Sequence, residues 1–112
     1  MTSPLSKTKG RSKYRAVSTV VDGVRFASKA EAKRDAELVL LVRAGKITDL
    51  RRQPSYKMEV MGEHICTYRG DWFYFENGQR VVEDKKGVQT KEFKIKWALA
   101  KALYPEIEWR IT

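Results

Sequence analysis

Two acids and a lysine carry the strongest chemical signal in this chain. Asp71 opens the aromatic run Trp72-Phe73-Tyr74-Phe75, and Glu83-Asp84-Lys85-Lys86-Gly87 closes the segment that follows. Between them, Glu76-Asn77-Gly78-Gln79 carries the Asn-Gly signal of a two-residue hairpin, and Arg80-Val81-Val82 resumes a strand. One strand thus offers an acid, and its partner offers an acid and a lysine two residues apart. Residues i and i+2 of a strand project to one face. An acidic pair so placed can hold Mg²⁺, and the lysine can meet a phosphate or orient an attacking water. Two registers satisfy the pattern: Glu83 with Lys85, or Asp84 with Lys86. Strand geometry alone does not choose between them.

The surrounding elements can be read from pattern. Val17 to Phe26 reads as a hairpin turning at Asp22-Gly23. Ser28-Lys29-Ala30-Glu31 is a capping box that opens a helix running to about Ala44, with Gly45 placed to end it. Ala32, Ala36, Val39, Leu40 and Arg43 fall near one face of that helix, with Lys29, Lys33, Arg34 and Glu37 opposite. Glu31 can simply close the helix start, or it can serve a metal directly or through water. Asp35, one turn on, reads as a surface acid paired with basic neighbours.

Ile47 to Leu50 lead into a break at Gln53-Pro54. Tyr56, Met58 and Val60 alternate with polar residues, so 55–61 reads as a half-buried strand. His64 to Phe75 and Arg80 to Lys86 follow as strands. Thr90 can cap a second helix with Phe93, Trp97, Ala100 and Leu103 on one stripe, and Pro105 stops it. Ile107, Trp109 and Ile111 alternate as a closing strand. The expected fold is mixed α and β, with a central mixed sheet in αβββαβ order flanked by helices. Trp72, Trp97 and Trp109 read as core, and His64 as structural.

Composition sets the partners. The 112 residues leave room for one domain, and a hydrophobic share of 42% argues that it folds. A net charge of +9 points to a polyanion, most often nucleic acid. Residues 1–13 read as a disordered basic arm ahead of a single domain over 14–112. Its Lys7, Lys9, Arg11 and Lys13 either contact phosphates or merely solubilise the chain. Lys91 and Lys94 stud the second helix, as backbone contacts for DNA or as a solvated face. The lone Cys66 excludes an internal disulfide and suits a reducing cytoplasm. No apolar run approaches the roughly 18 residues of a membrane span.

Taken together, these motifs resemble the PD-(D/E)xK nuclease superfamily, and within it the phage endonuclease I-type Holliday-junction resolvases and related small phage nuclease-like proteins. Their Ser-x-x-Glu turn corresponds to Ser28-Lys29-Ala30-Glu31, and their Pro-Asp-Phe strand to Gly70-Asp71-Trp72. Their Val-Glu-x-Lys-Gly segment corresponds to Glu83-Asp84-Lys85-Lys86-Gly87. Their closing His-Pro-Glu-Leu-Asp-Ile-Arg is similar to Tyr104-Pro105-Glu106-Ile107-Glu108-Trp109-Arg110. The resemblance spans roughly residues 20–112. It implies a restriction-endonuclease-like core, Mg²⁺ (or Mn²⁺) as cofactor, and branched DNA as substrate of a homodimer. Asp71, Asp84 and Glu31 would hold the metal. Lys86 would act beside them, and Glu83 is the acid of the other register. Gly87 after Lys86 favours Asp84 with Lys86. Gly70 stands where the resolvases have proline, and Gln53 lies near where they carry a further glutamate. Two other readings stay open: a nuclease-like module that binds nucleic acid without cutting, and an interaction protein that recruits replication or packaging proteins.

Overall fold

The computed structural model describes residues 18–21 and 23–112. The expected arm, with Lys7, Lys9, Arg11 and Lys13, lies outside the described residues. By its internal contacts the chain divides into a unit ending at Lys33 and a unit over Arg34–Thr112.

In the first unit, β1 (Thr19–Val21) and β2 (Val24–Phe26) form the expected hairpin. The first turn of α1 (Lys29–Arg43) follows. The Ser28 hydroxyl accepts the Glu31 N–H at 3.1 Å, and the Glu31 carboxylate reaches back to the Ala27 N–H at 3.0 Å. This is a capping box whose return bond lands one residue before the cap.

The second unit begins within α1. Gly45, at φ 74°, ends the helix. Its N–H bonds to the Val42 carbonyl, and the Lys46 N–H bonds to that of Leu41, which is a Schellman closure. Seven further elements follow: β3 (Thr48–Arg52), β4 (Ser55–Val60), β5 (Glu63–Arg69), β6 (Trp72–Glu76), β7 (Gln79–Asp84), α2 (Lys91–Leu103) and β8 (Ile107–Ile111). The main sheet has the order β3-β6-β7-β8. β6 runs antiparallel to both β3 and β7, and β8 lies parallel to β7. Asn77 and Gly78 both take positive φ, so the Asn-Gly signal builds the β6–β7 turn it predicts. Among the described residues the chain is mixed α and β, with a mixed sheet and two helices. No helix among the described residues is long and apolar enough to cross a membrane.

Two expectations are corrected. Five strands, not three, separate the helices. The expected strand over His64 to Phe75 breaks at Gly70-Asp71. Its first part pairs with β4 in a separate two-stranded sheet, and its second joins the main sheet. The pairing itself runs on through the break: the Gly70 N–H bonds to the Pro54 carbonyl, and the Gln53 N–H to that of Asp71, each at 2.9 Å, in the register that joins Arg52 to Trp72 and Ser55 to Arg69. A Cβ on Gly70 would stand 2.6 Å from the Val82 Cγ1, so only glycine fits. The extra strand, β3, is a polar edge strand with a bulge, and its Thr-Asp-Leu-Arg-Arg sequence carries little apolar alternation.

The second correction concerns α1. Ala36, Leu40 and Arg43 are exposed, while Asp35 and Leu38 are buried. A buried acid occupies the inward face and interrupts the apolar pattern that would have revealed it. Asp35 is therefore no surface acid.

The sheet has a packed layer on each side. On one, Leu38 of α1 meets Ile47, Trp72, Tyr74 and Val81. On the other, Met58 and Tyr68 of the β4–β5 hairpin pack on Phe93 and Ala100 of α2, with Trp97 and Trp109 beside them. The expected stripe of α2 is thus realised. Thr90 caps it by accepting the Phe93 N–H at 3.0 Å.

Candidate functional site

Strand alternation sorts the candidate residues. In the β6–β7 ladder, Trp72 pairs with Glu83, Phe73 with Val82 and Tyr74 with Val81. Trp72, Tyr74, Val81 and Glu83 therefore share the face that packs on α1. Phe73, Val82 and Asp84 share the opposite face, and Asp71 has the same parity.

Glu83 is wholly buried on the α1 face. Arg34 grips it with two bonds, Nε to Oε2 at 2.6 Å and Nη2 to Oε1 at 3.1 Å. The Tyr74 hydroxyl donates to Oε1 at 2.6 Å. Burial opposes ionisation of Glu83, but the guanidinium and the phenol outweigh it and hold the carboxyl below its usual range. Burial and the Glu83 charge push Tyr74 up to about 12, so it stays a donor. Arg110 of β8 extends the network, donating to the Tyr74 hydroxyl and to Glu76, and pairing with Glu108.

Asp35 is the second buried acid on this face. It accepts bonds from Arg52 at 2.7 and 2.9 Å and from the Trp72 indole at 2.9 Å. Against the cost of burial, these donors hold its carboxyl below the ordinary value.

The opposite face gathers Asp71, Asp84 and Lys86. The Lys85 N–H donates to Asp71 Oδ2 at 2.8 Å, and the Asp71 N–H bonds to the Glu83 carbonyl at 3.2 Å. The Asp71 carboxylate is thereby held against the chain just beyond Asp84, which is itself buried at the carboxyl end of β7. Lys86 lays its ammonium 4.7 Å from the centre of the Phe93 ring, which joins this end of β7 to the first turn of α2. Lys91 and Lys94 stand exposed on that helix start. Glu31 lies in the other unit, where its carboxylate serves the helix cap. His64 is exposed, and Trp72 is core.

Among the described residues, no group of three or more His, Cys, Asp or Glu side chains is gathered to hold a metal. Asp71 and Asp84 supply two carboxylates. That donor set suits Mg²⁺, which is commonly held by one or two carboxylates and completed by waters and substrate phosphates. It does not suit a dedicated all-protein cage.

A family model matches residues 11–112, and its description is a protein of unknown function, DUF1064. The chain belongs to the DUF1064 family. No curated protein and no solved structure matches it.

Sequence reasoning missed Arg34, Asp35, Arg52, Tyr74 and Arg110, which together close the α1 face. Tyr74 lay in the aromatic run and Arg110 in the closing motif, and Tyr74 meets Glu83 across the β6–β7 hairpin. Arg34, Asp35 and Arg52 are paired across distant elements, and no local spacing reports such pairs.

Proposed function

We propose that this chain is a metal-dependent endodeoxyribonuclease with a restriction-endonuclease-like core. The carrying observation is that Asp71, Asp84 and Lys86 share one side of the β6–β7 hairpin while Glu83 is committed to the other. This supports the register of Asp84 with Lys86. Asp71 and Asp84 would hold Mg²⁺ or Mn²⁺, and Glu31 is a candidate third carboxylate. A metal held by these carboxylates would supply polarisation of a scissile phosphate and a more nucleophilic water. Lys86 stabilises the charge that develops on the phosphate. Asp71 is oriented by the Lys85 N–H, and Lys86 is steadied by Phe93. Lys91 and Lys94 supply sequence-independent affinity. The substrate is branched DNA, two copies act together, and the working compartment is the cytoplasm.

A second reading has one observation in its favour. The absence of a three-donor group among the described residues fits a module that binds nucleic acid without cutting it. One experiment separates the two. Linear duplex, single-stranded, flap and four-way-junction DNA are incubated with the protein in Mg²⁺, Mn²⁺ or EDTA. The nuclease reading expects metal-dependent cleavage that Asp71→Asn and Asp84→Asn abolish while the circular dichroism spectrum is unchanged. Binding without cleavage in either metal would leave the second reading standing.

A further inference from the structure

Along β6, on the face of Asp71, lie Phe73 and Phe75, their rings edge to face at 5.3 Å. Arg51 of β3 sets its guanidinium 5.6 Å from the Phe73 ring centre, and Arg80 of β7 sets its own 5.5 Å from that of Phe75. The strands β3, β6 and β7 are neighbours, so the four side chains form a strip across the sheet: cation, ring, ring, cation. Neither arginine makes an ion pair among the described residues. A guanidinium stacked on a ring keeps its N–H edge turned outward, which is the edge that grips phosphate.

The strip borders a cleft of about 630 Å³ that also includes Tyr56 and Tyr104. These rings meet edge to face at 5.3 Å. Among the described residues, Glu106 is the only acid lining the cleft, against Arg51, Arg80 and Arg52, the last being tied to Asp35. The cleft is therefore net positive with aromatic walls. Its volume is that of a site for a small organic group, within the roughly 300–1,000 Å³ typical of such sites. A duplex backbone would sit on a basic ridge and has no use for a ring-lined recess. An acidic peptide would be met by the arginines but would leave the rings without partners.

We propose that this cleft binds an unpaired nucleotide of a single-stranded nucleic acid, with the base against the aromatic wall and flanking phosphates on Arg51 and Arg80. Base stacking and arginine contacts are the two elements of sequence-tolerant single-strand binding. Phe73 is two residues from Asp71, about 7 Å along the strand, so a bound strand can run on to the carboxylates. Only that continuation rests on the nuclease reading, and binding does not.

Fluorescence anisotropy tests the proposal in EDTA, where cleavage plays no part. The probes are a labelled oligothymidylate, a duplex of equal length and a poly-glutamate peptide. Arg51→Gln/Arg80→Gln should weaken oligothymidylate binding at least tenfold. It should also flatten the log–log salt slope by roughly 1.4, two phosphates at about 0.7 each. Arg51→Lys/Arg80→Lys, which keeps the charge and loses the planar stack, should keep the slope and still bind more weakly. Lys29→Gln/Lys46→Gln removes the same charge elsewhere and should cost less than threefold. Circular dichroism establishes that each variant is folded. The proposal is overturned if the glutamine pair binds like wild type or no worse than the lysine control. It is equally overturned if poly-glutamate or duplex binds as tightly as oligothymidylate.

Discussion

Glu83 and Asp84 are consecutive acids at the end of one strand, yet their surroundings differ in kind. On the α1 face, Glu83 and Asp35 are each closed by an arginine and an aromatic donor, and the network runs through Tyr74 to Arg110. On the other face, cations lie on rings instead of acids: Lys86 on Phe93, Arg51 on Phe73, Arg80 on Phe75. The first arrangement uses charge to fix structure. The second keeps cationic edges available to an anion. Composition is alike on the two faces, so what separates them is the period-two alternation of the strand together with what each face packs against.

The sharpest way to break this contrast is to neutralise the two acids separately. Asp84→Asn should lower cleavage by about 10³-fold or more, the scale of several kcal/mol of lost metal-assisted stabilisation. Glu83→Gln should instead destabilise the fold, by about 2–4 kcal/mol in urea denaturation, since it leaves Arg34 with only the exposed Glu37 as an anionic partner. That figure sits low in the range for a broken buried pair because Arg34 is 25% exposed. Exchanged outcomes, with Glu83→Gln inactive but stable, would move the site to the other register.

Gly70 sits where the β4–β5 pairing hands over to that of β3 with β6, close against Val82 of β7. Gly70→Ala drives a methyl group into Val82 and should cost about 1–3 kcal/mol, the usual penalty of overpacking. Val82→Ala removes the offending atom. A double variant less destabilised than the sum of the two singles, measured by thermal melting, would tie the loss to that contact.

The sequence made the hairpins, the helix caps and the α2 stripe legible because each is written locally. Asn77-Gly78 can hardly build anything but a tight turn, and Thr90 precedes a clean helical period. The α1 face was illegible for the opposite reason. Asp35 and Arg34 look like any charged helix positions until Arg52 and Glu83, far along the chain, are brought to them. The edge strand β3 was hidden because a strand that packs little needs no apolar alternation. At the candidate site, the residue types were readable and the register was not. Alternation pairs Asp84 with Lys86 as readily as Glu83 with Lys85, and only the packing on α1 and α2 distinguishes them.

Acid should loosen the α1 face first. The Asp35 carboxyl titrates below its unfolded value, so its contribution is full above that value, near about 3.9, and fades as pH falls through the folded one. Asp35→Asn should therefore be less stable than wild type by about 1–2 kcal/mol at neutral pH, a charged hydrogen bond discounted for the half-exposed Arg52. The gap should narrow as pH falls through the folded-state value. A gap that stays constant into acid would mean the side chain packs without using its charge.

The smallest expected effect is at Glu31. Its carboxylate returns to the Ala27 N–H, and glutamine can make the same return bond, so the cap survives the exchange. Glu31→Gln should change stability by less than about 0.5 kcal/mol, well under the loss of a whole cap. As a third carboxylate it would lend charge to the site without being a principal ligand. Its loss should then slow cleavage only about tenfold, or 1.4 kcal/mol. Glu31→Ala should add the loss of the cap, about 1 kcal/mol, without slowing cleavage further. Parallel melting and cleavage measurements separate the roles. If the glutamine variant cuts like wild type and only the alanine variant melts early, Glu31 is a capping residue alone. The chemistry then lies wholly on the Asp71, Asp84 and Lys86 side of the hairpin.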